Sequence, residues 1–363
     1  MPTPISYARA PLELILAFAL ILVGAEVFTN GIEWLGIKLR LSQGATGSIL
    51  AALGTATPET LIPIVAIVFT NSAAADEIGV GAILGAPFML GTLVMLLIGV
   101  TAFVLRRRRG RTTLAVDAPH ARRDLGFFLV CYSAALVLAF LPAGVRDVKG
   151  IVGWLFLPAY GVYLFLVLRS SARTMRDIEE EVEEREAFEN LTFAEYLRRA
   201  GARIVANDPP LLLIVVQTLV AFAGILVGAR IFATWVDGFS RSMGLNALLV
   251  SLILAPLATE LPEAANSLIW TREGKDVIAL GNVAGAMVFQ STIPVTVGVL
   301  LTPWELGSFG TLAAVFALLS GAIIYLQLRL RARDDSLPLS SLVAGGALYL
   351  AFLAYVVWHV MVV

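Results

Sequence analysis

The sequence predicts an all-α membrane protein, with ten transmembrane helices built as two inverted five-helix repeats. Three observations carry that prediction. Hydrophobic residues make up 58% of the 363-residue chain and charged residues only 15%, a balance too apolar for the surface of a soluble domain of this length. The charges gather in short blocks between apolar stretches, ten of which reach the roughly 20 residues that cross a hydrocarbon core of about 30 Å. The chain also repeats itself: residues 21–60 laid on residues 225–264 without a gap give about 14 identities in roughly 40 positions.

The spans are expected at 11–29, 45–68, 78–105, 125–141 and 151–168, then at 211–235, 245–270, 277–301, 306–330 and 341–363. In lipid every backbone polar group needs a partner within the protein, so such runs read as helices. Five precede the hydrophilic segment 169–210 and five follow it, dividing the chain into a first repeat (1–168), a connecting segment (169–210) and a second repeat (211–363). An odd number of spans per half turns the second copy over, which places a pseudo-two-fold axis in the membrane plane. The first apolar stretch belongs to the repeat, so a cleavable signal peptide is not expected there.

Charge sets the orientation. With the N-terminus outside, about 21 of the 26 Lys and Arg residues fall in inner loops, among them Arg106–Arg109, Arg122, Arg123, Arg272, Lys275 and Arg329. Arg9, Arg146, Lys149, Arg230 and Arg241 are left on the outer side. Both termini are therefore expected outside a bacterial or archaeal cell membrane. Trp34, Trp154, Trp235, Trp270 and Trp304 lie near predicted span ends, where tryptophan anchors to the interface. The connecting segment holds an acidic run from Asp177 to Glu189, read as a solvated helix between the halves. Cys131 is the single cysteine, so no internal disulfide forms.

The repeats end on the same short motif. Thr55, Pro58 and Glu59 answer to Thr259, Pro262 and Glu263, and each glutamate sits inside an apolar span, where an ionisable side chain marks a site by default. Proline removes a backbone donor and frees the carbonyl four residues back, so both helices are expected to break near mid-span. Freed carbonyls, Glu59, Glu263 and the hydroxyls of Thr55 and Thr259 together make a hard-oxygen set suited to Ca²⁺ or Na⁺. Glu260, one turn before Glu263, has Ala56 as its counterpart and shares a cation or a proton with Glu263. Gly-rich spans follow each motif, and Gln290 in the second adds a further amide oxygen where the first has Leu90. Glu26 and Arg230 are equivalent by sequence, but inversion sends them to opposite faces and no direct ion pair is expected.

At these residues the chain resembles the calcium/cation antiporter superfamily, which includes the sodium/calcium exchangers. That family carries Gly-Thr-Ser-x-Pro-Glu in each repeat, followed by Gly-Asn-x-x-Gly-Ser and then Asn or Asp. Gly54-Thr55 with Pro58-Glu59, and Thr259 with Pro262-Glu263, match the first motif. The resemblance implies an alternating-access antiporter in which Glu59 and Glu263 are the central cation ligands, helped by Thr55 and Thr259. Ala56 and Glu260 stand where the family has Ser, Ala82 replaces Asn while Asn282 keeps it, Ala86 and Ala286 replace Ser, and Leu90 and Gln290 replace the final Asn or Asp. Exchange of Ca²⁺ or a similar cation for Na⁺ or H⁺ is the reading, with no resident cofactor and with membrane lipid as the surroundings. A monovalent cation/proton exchanger and a non-transporting membrane scaffold are the alternatives. No phosphate-binding loop or nucleophile–base spacing points to an enzyme, and the near-balanced net charge of −1 gives no footprint for nucleic acid.

Overall fold

The computed structural model describes residues 10–39, 51–70, 72–182, 191–199, 209–331 and 335–362, the side chains of residues 10, 51–56, 109, 143, 170–182, 197 and 199 excepted. Helix α1 (Ala10–Lys38) is followed by α2 (Ala51–Phe69) and by α3 (Ala75–Met89), which continues through a π-helical turn at Leu90–Val94 into Met95–Val104. Then come α4 (Ala118–Ala139) and α5 (Arg146–Val182), a short connecting helix α6 (Thr192–Arg199), and α7 (Leu211–Met243). The remainder is α8 (Ala247–Thr259), α9 (Leu261–Glu273), α10 (Asp276–Gln290), α11 (Ile293–Leu301), α12 (Gly307–Leu330) and α13 (Leu339–Val362).

Among the described residues seven helices are long and apolar enough to cross a membrane, and the bent pair α8–α9 makes an eighth. Over its fully described residues, Thr57–Phe69, helix α2 is a shorter apolar helix. Helix α4 carries Arg122, Arg123 and Asp124 near its start, leaving a short apolar run behind them. These two are the places where ten expected spans exceed those that length and composition pick out. Helix α5 runs well past the expected end at 168, carrying the start of the connecting segment as one continuous helix.

The two proline motifs behave differently. The second span bends by 53° between α8 and α9, with Glu260 at the corner in a bridge-region conformation (φ −95°, ψ −3°). Pro256 lies inside α8 and Pro262 in the first turn of α9. The missing Pro262 amide interrupts the ladder where the helix turns. The break expected in the first copy is absent: α2 runs unbroken with Pro58 and Pro63 inside it. There the helix continues past both lost donors. A further interruption appears at Ser291–Thr292, between α10 and α11, in a span expected to be continuous. It has the same register as the π-helical turn that follows Met89 in the first repeat.

Helix α3 is the most buried of the long helices. It lies against α8, where a Cβ at Gly81 or Gly85 would overlap the carbonyl oxygens of Leu248 or Leu252, and Ser251 donates a hydrogen bond to the Ile78 carbonyl at 2.7 Å. Only glycine permits that backbone approach. Helices α1 and α7 pack reciprocally. A Cβ at Gly24 would stand 2.9 Å from Ile225 Cγ1, and one at the repeat-equivalent Gly228 would stand 3.0 Å from Ile21 Cγ1.

Loops join into two groups. On one side strands β1 (Thr113–Ala115) and β2 (Ser336–Pro338) form an antiparallel ribbon, and Arg111 pairs with the buried Asp276 at 2.7 Å. On the other, Lys149 donates to the Pro303 carbonyl at 3.2 Å and Arg241 to the Ser72 hydroxyl at 3.1 Å. Trp304 corrects the sequence reading. It is fully buried, its indole N–H donating to the Ala135 carbonyl at 2.8 Å, and it fills core space beside Gly298.

Candidate functional site

Three glutamates converge deep in the bundle. Glu59 on α2, Glu260 at the α8–α9 corner and Glu263 in the first turn of α9 each offer a carboxylate oxygen, and these oxygens lie within 4.8 Å of one another. Exposure of the three is 6%, 0% and 7%, so neither bulk water nor a surface counter-ion reaches them freely. The described ion pairs form elsewhere, and none includes any of the three. Charged together, they would repel by about 3.5 kcal/mol per pair at an effective dielectric of ~20.

The three carboxylates are not equivalent. Both oxygens of Glu260 accept hydrogen bonds, Oε1 from the Thr259 hydroxyl and Oε2 from the Gln290 amide, each at 2.7 Å. A carboxylate can only accept, so this contact turns the amide nitrogen of Gln290 toward Glu260 and its oxygen away. By contrast, Glu59 Oε2, Glu263 Oε2 and Gln290 Oε1 are buried with no hydrogen-bond partner. Buried polar atoms are normally paired, and unpaired acceptors that share one site are suited to an ion.

The local fold explains the convergence. The bend after Thr259 starts a new helix at Leu261, so Glu263 falls in a first turn, where the helix dipole favours negative charge. Asn282 on α10 fixes that turn, donating to the Glu263 carbonyl at 3.3 Å and to the Ser267 hydroxyl at 3.1 Å. Gln290 is the last residue of α10, and the interruption beyond it ends the helix beside Glu260.

Of the residues read from the sequence, Glu59, Glu260, Glu263, Thr259 and Gln290 come together here. Thr259 acts chiefly on Glu260. Thr55 lies in α2, with its side chain outside the described residues. Glu26 and Arg230 form no ion pair with each other among the described residues. Ser267 was not legible: one serine a turn beyond Glu263 is ordinary in sequence, and its place under Asn282 depends on the packing of α9 against α10.

A helical membrane bundle with charge buried at its helix breaks has the anatomy of a secondary transporter. The sequence profile described as sodium/calcium exchanger protein matches residues 10–169 and 213–361. The chain belongs to the sodium/calcium exchanger family. It is 22% identical over 346 residues to CaxA of Alkalimonas amylolytica, named as a candidate antiporter, covering 95% of this chain and 97% of that one. It is 23% identical over 316 residues to the inner membrane protein YrbG of Escherichia coli K12, covering 86% of each. The fold matches a crystal structure of the H⁺/Ca²⁺ exchanger CAX with a TM-score of 0.62 at 17% identity, over 96% of this chain and 82% of that one. The protein is thus a multi-pass membrane antiporter of a cation-exchanger family, and not an enzyme.

Proposed function

We propose that the protein exchanges a divalent cation such as Ca²⁺ for protons or Na⁺ by alternating access, with protons the counter-ion that the site favours. The observation that carries this reading is the group of three buried carboxylates within 4.8 Å. A divalent cation bridging Glu59 and Glu263, with the Gln290 amide oxygen as a further ligand, satisfies the unpaired oxygens. When the cation leaves, three neighbouring carboxylates in a low-dielectric setting need a replacement charge, and protons shared among them supply it compactly. Alanines 82, 86 and 286 and Leu90 offer no side-chain oxygen for additional monovalent ions.

In this reading α2 and α4 complete ten spans, and the halves are inverted repeats. The reciprocal Gly24–Ile225 and Gly228–Ile21 contacts support a two-fold relation. The loops at 106–117, 274–276 and 331–338, which the charge bias assigns to the cytoplasm, are those joined by the ribbon and by Arg111–Asp276. The loops assigned outside are joined by Lys149–Pro303 and Arg241–Ser72. Both termini then face outward from the cell membrane, and α1 with α7 moves across the site to expose it to alternate sides.

The test is flux in reconstituted vesicles under imposed Ca²⁺, Mn²⁺, Na⁺, K⁺ and H⁺ gradients. Ca²⁺ uptake that acidifies the opposite compartment, without Na⁺, is the expected result. Na⁺ uptake driven by a pH gradient alone, with no divalent cation, would favour monovalent exchange instead; no flux under any gradient would leave only a scaffold.

A further inference from the structure

Gln217 is fully buried in α7, and its side chain satisfies partners on two other elements at once. Its amide nitrogen donates to the Val27 carbonyl at 3.1 Å and to Asn30 Oδ1 at 2.9 Å, both on α1. Its amide oxygen accepts from the Phe193 backbone N–H of the connecting helix α6 at 2.7 Å. Asn30 Oδ1 also accepts from the Thr192 N–H and hydroxyl, each at 3.1 Å. First-turn amides of a helix have no partner within it, and here two of them are taken up by the α1–α7 pair. Leu191 and Ala194, both fully buried, seal the junction against Trp34 and Ile214.

This junction has no copy at the other end of the pair. The repeat equivalent of Asn30 is Thr234, whose hydroxyl turns back to the Arg230 carbonyl of its own helix at 2.8 Å. The equivalent of Gln217 is Glu13, which is exposed. The two buried amides therefore serve the connecting segment, not the packing common to both halves.

Resting on the alternating-access reading, we propose that Asn30 and Gln217 are positioning residues that clasp α1 and α7 into one gating body and harness the connecting segment to it. One residue of slip along a helix is about 1.5 Å, enough to break hydrogen bonds of this geometry and strand buried amides without partners. Contact between this pair and α2, α3 and α8 includes an apolar cluster of Ala17, Ile21, Ile62, Ile78, Phe232 and Val250. Such contacts are non-directional and tolerate sliding. The pair moves as a unit against its neighbours, and the connecting segment travels with it.

The experiment compares Asn30→Leu with Asn30→Asp in reconstituted vesicles, with amide hydrogen exchange at residues 192–199 as a readout independent of transport. Aspartate keeps the oxygen that three donors use; leucine does not. Asn30→Leu is expected to lose amide protection at Thr192 and Phe193 and to lower the maximal exchange rate about fivefold, the size of one lost buried hydrogen bond, at an unchanged half-saturating Ca²⁺ concentration. Asn30→Asp is expected to restore both. Thr192→Val, outside the spans, gives a smaller loss of the same kind should Asn30→Leu not fold. Wild-type rate in a folded Asn30→Leu, a shift in half-saturation alone, or an aspartate variant no better than leucine would each overturn the clasp. Absence of flux in the wild-type chain would instead count against the antiporter reading, while the amide-exchange result still decides whether the clasp exists.

Discussion

Glu260 and Gln290 join the two helix interruptions of the second repeat. Glu260 is the corner of the α8–α9 bend, Gln290 is the last residue of α10, and the amide of one donates to the carboxylate of the other at 2.7 Å. The oxygen of the same amide is buried without a hydrogen-bond partner, and it is a ligand in the proposed site. An ion held there would pull on the residue that fixes the corner, so ion occupancy and helix geometry become one equilibrium.

Replacing Gln290 tests that coupling. Gln290→Leu removes a ligand oxygen and leaves Glu260 with a buried, half-satisfied carboxylate, a loss of roughly 1–3 kcal/mol. The half-saturating Ca²⁺ concentration for uptake is expected to rise about tenfold, the equivalent of ~1.4 kcal/mol. Uptake curves that superimpose on the wild type would remove Gln290 from the ion site.

Glu59 and Glu263 carry a stronger prediction. Glu59→Gln or Glu263→Gln takes away a charge that a divalent ion needs while preserving side-chain volume, and divalent flux is expected to vanish in both. Binding can be read without transport. Ca²⁺ at about 100 times its Kd stabilises a protein by ~2.7 kcal/mol, so the unfolding temperature of the wild type rises with Ca²⁺ and that of either variant does not. Normal flux in both variants would defeat the assignment.

The sequence exposed the site through duplication. Two glutamates in apolar spans, at matched places after a proline, are improbable as packing accidents, and Glu59 and Glu263 were legible for that reason. The single break was not, because a proline states only that a donor is missing. Whether α2 stays unbroken while α8–α9 turns by 53° depends on what packs beside each. Trp304 misled for a related cause: its position near a span end fits an interfacial anchor, but Gly298 leaves a hole that an indole fills. Gln217 was invisible because its partners lie on α1 and α6, distant in sequence.

Proton coupling has a pH signature. Cations binding to carboxylates displace protons, so apparent affinity is lower where the cluster is protonated. The half-saturating Ca²⁺ concentration is expected to fall as pH on the binding side rises, by up to about tenfold per pH unit for each proton displaced. The dependence should be shallower in Glu260→Ala, which leaves two carboxylates. A flat profile between pH 6 and 8, with Na⁺ restoring exchange, would transfer the coupling to Na⁺.

The last prediction concerns the wall beside the site. Gly85 brings α3 against the α8 backbone so closely that a methyl group would overlap the Leu252 carbonyl oxygen, and Pro256 lies next to it. Backbone cannot yield as a flexible side chain does. Gly85→Ala must therefore move α3 from the half-helix that leads into the Glu260 corner, at a cost of about 1–3 kcal/mol for forced overpacking. Gly281, on α10 of the second repeat, has open space around its missing Cβ, so Gly281→Ala serves as the matched control. Thermal unfolding in detergent is expected to show a clear loss for Gly85→Ala and little change for Gly281→Ala, with Ca²⁺ uptake falling only in the former. Equal stability and uptake in the two variants would mean that the α3–α8 contact does not hold the acidic corner in place.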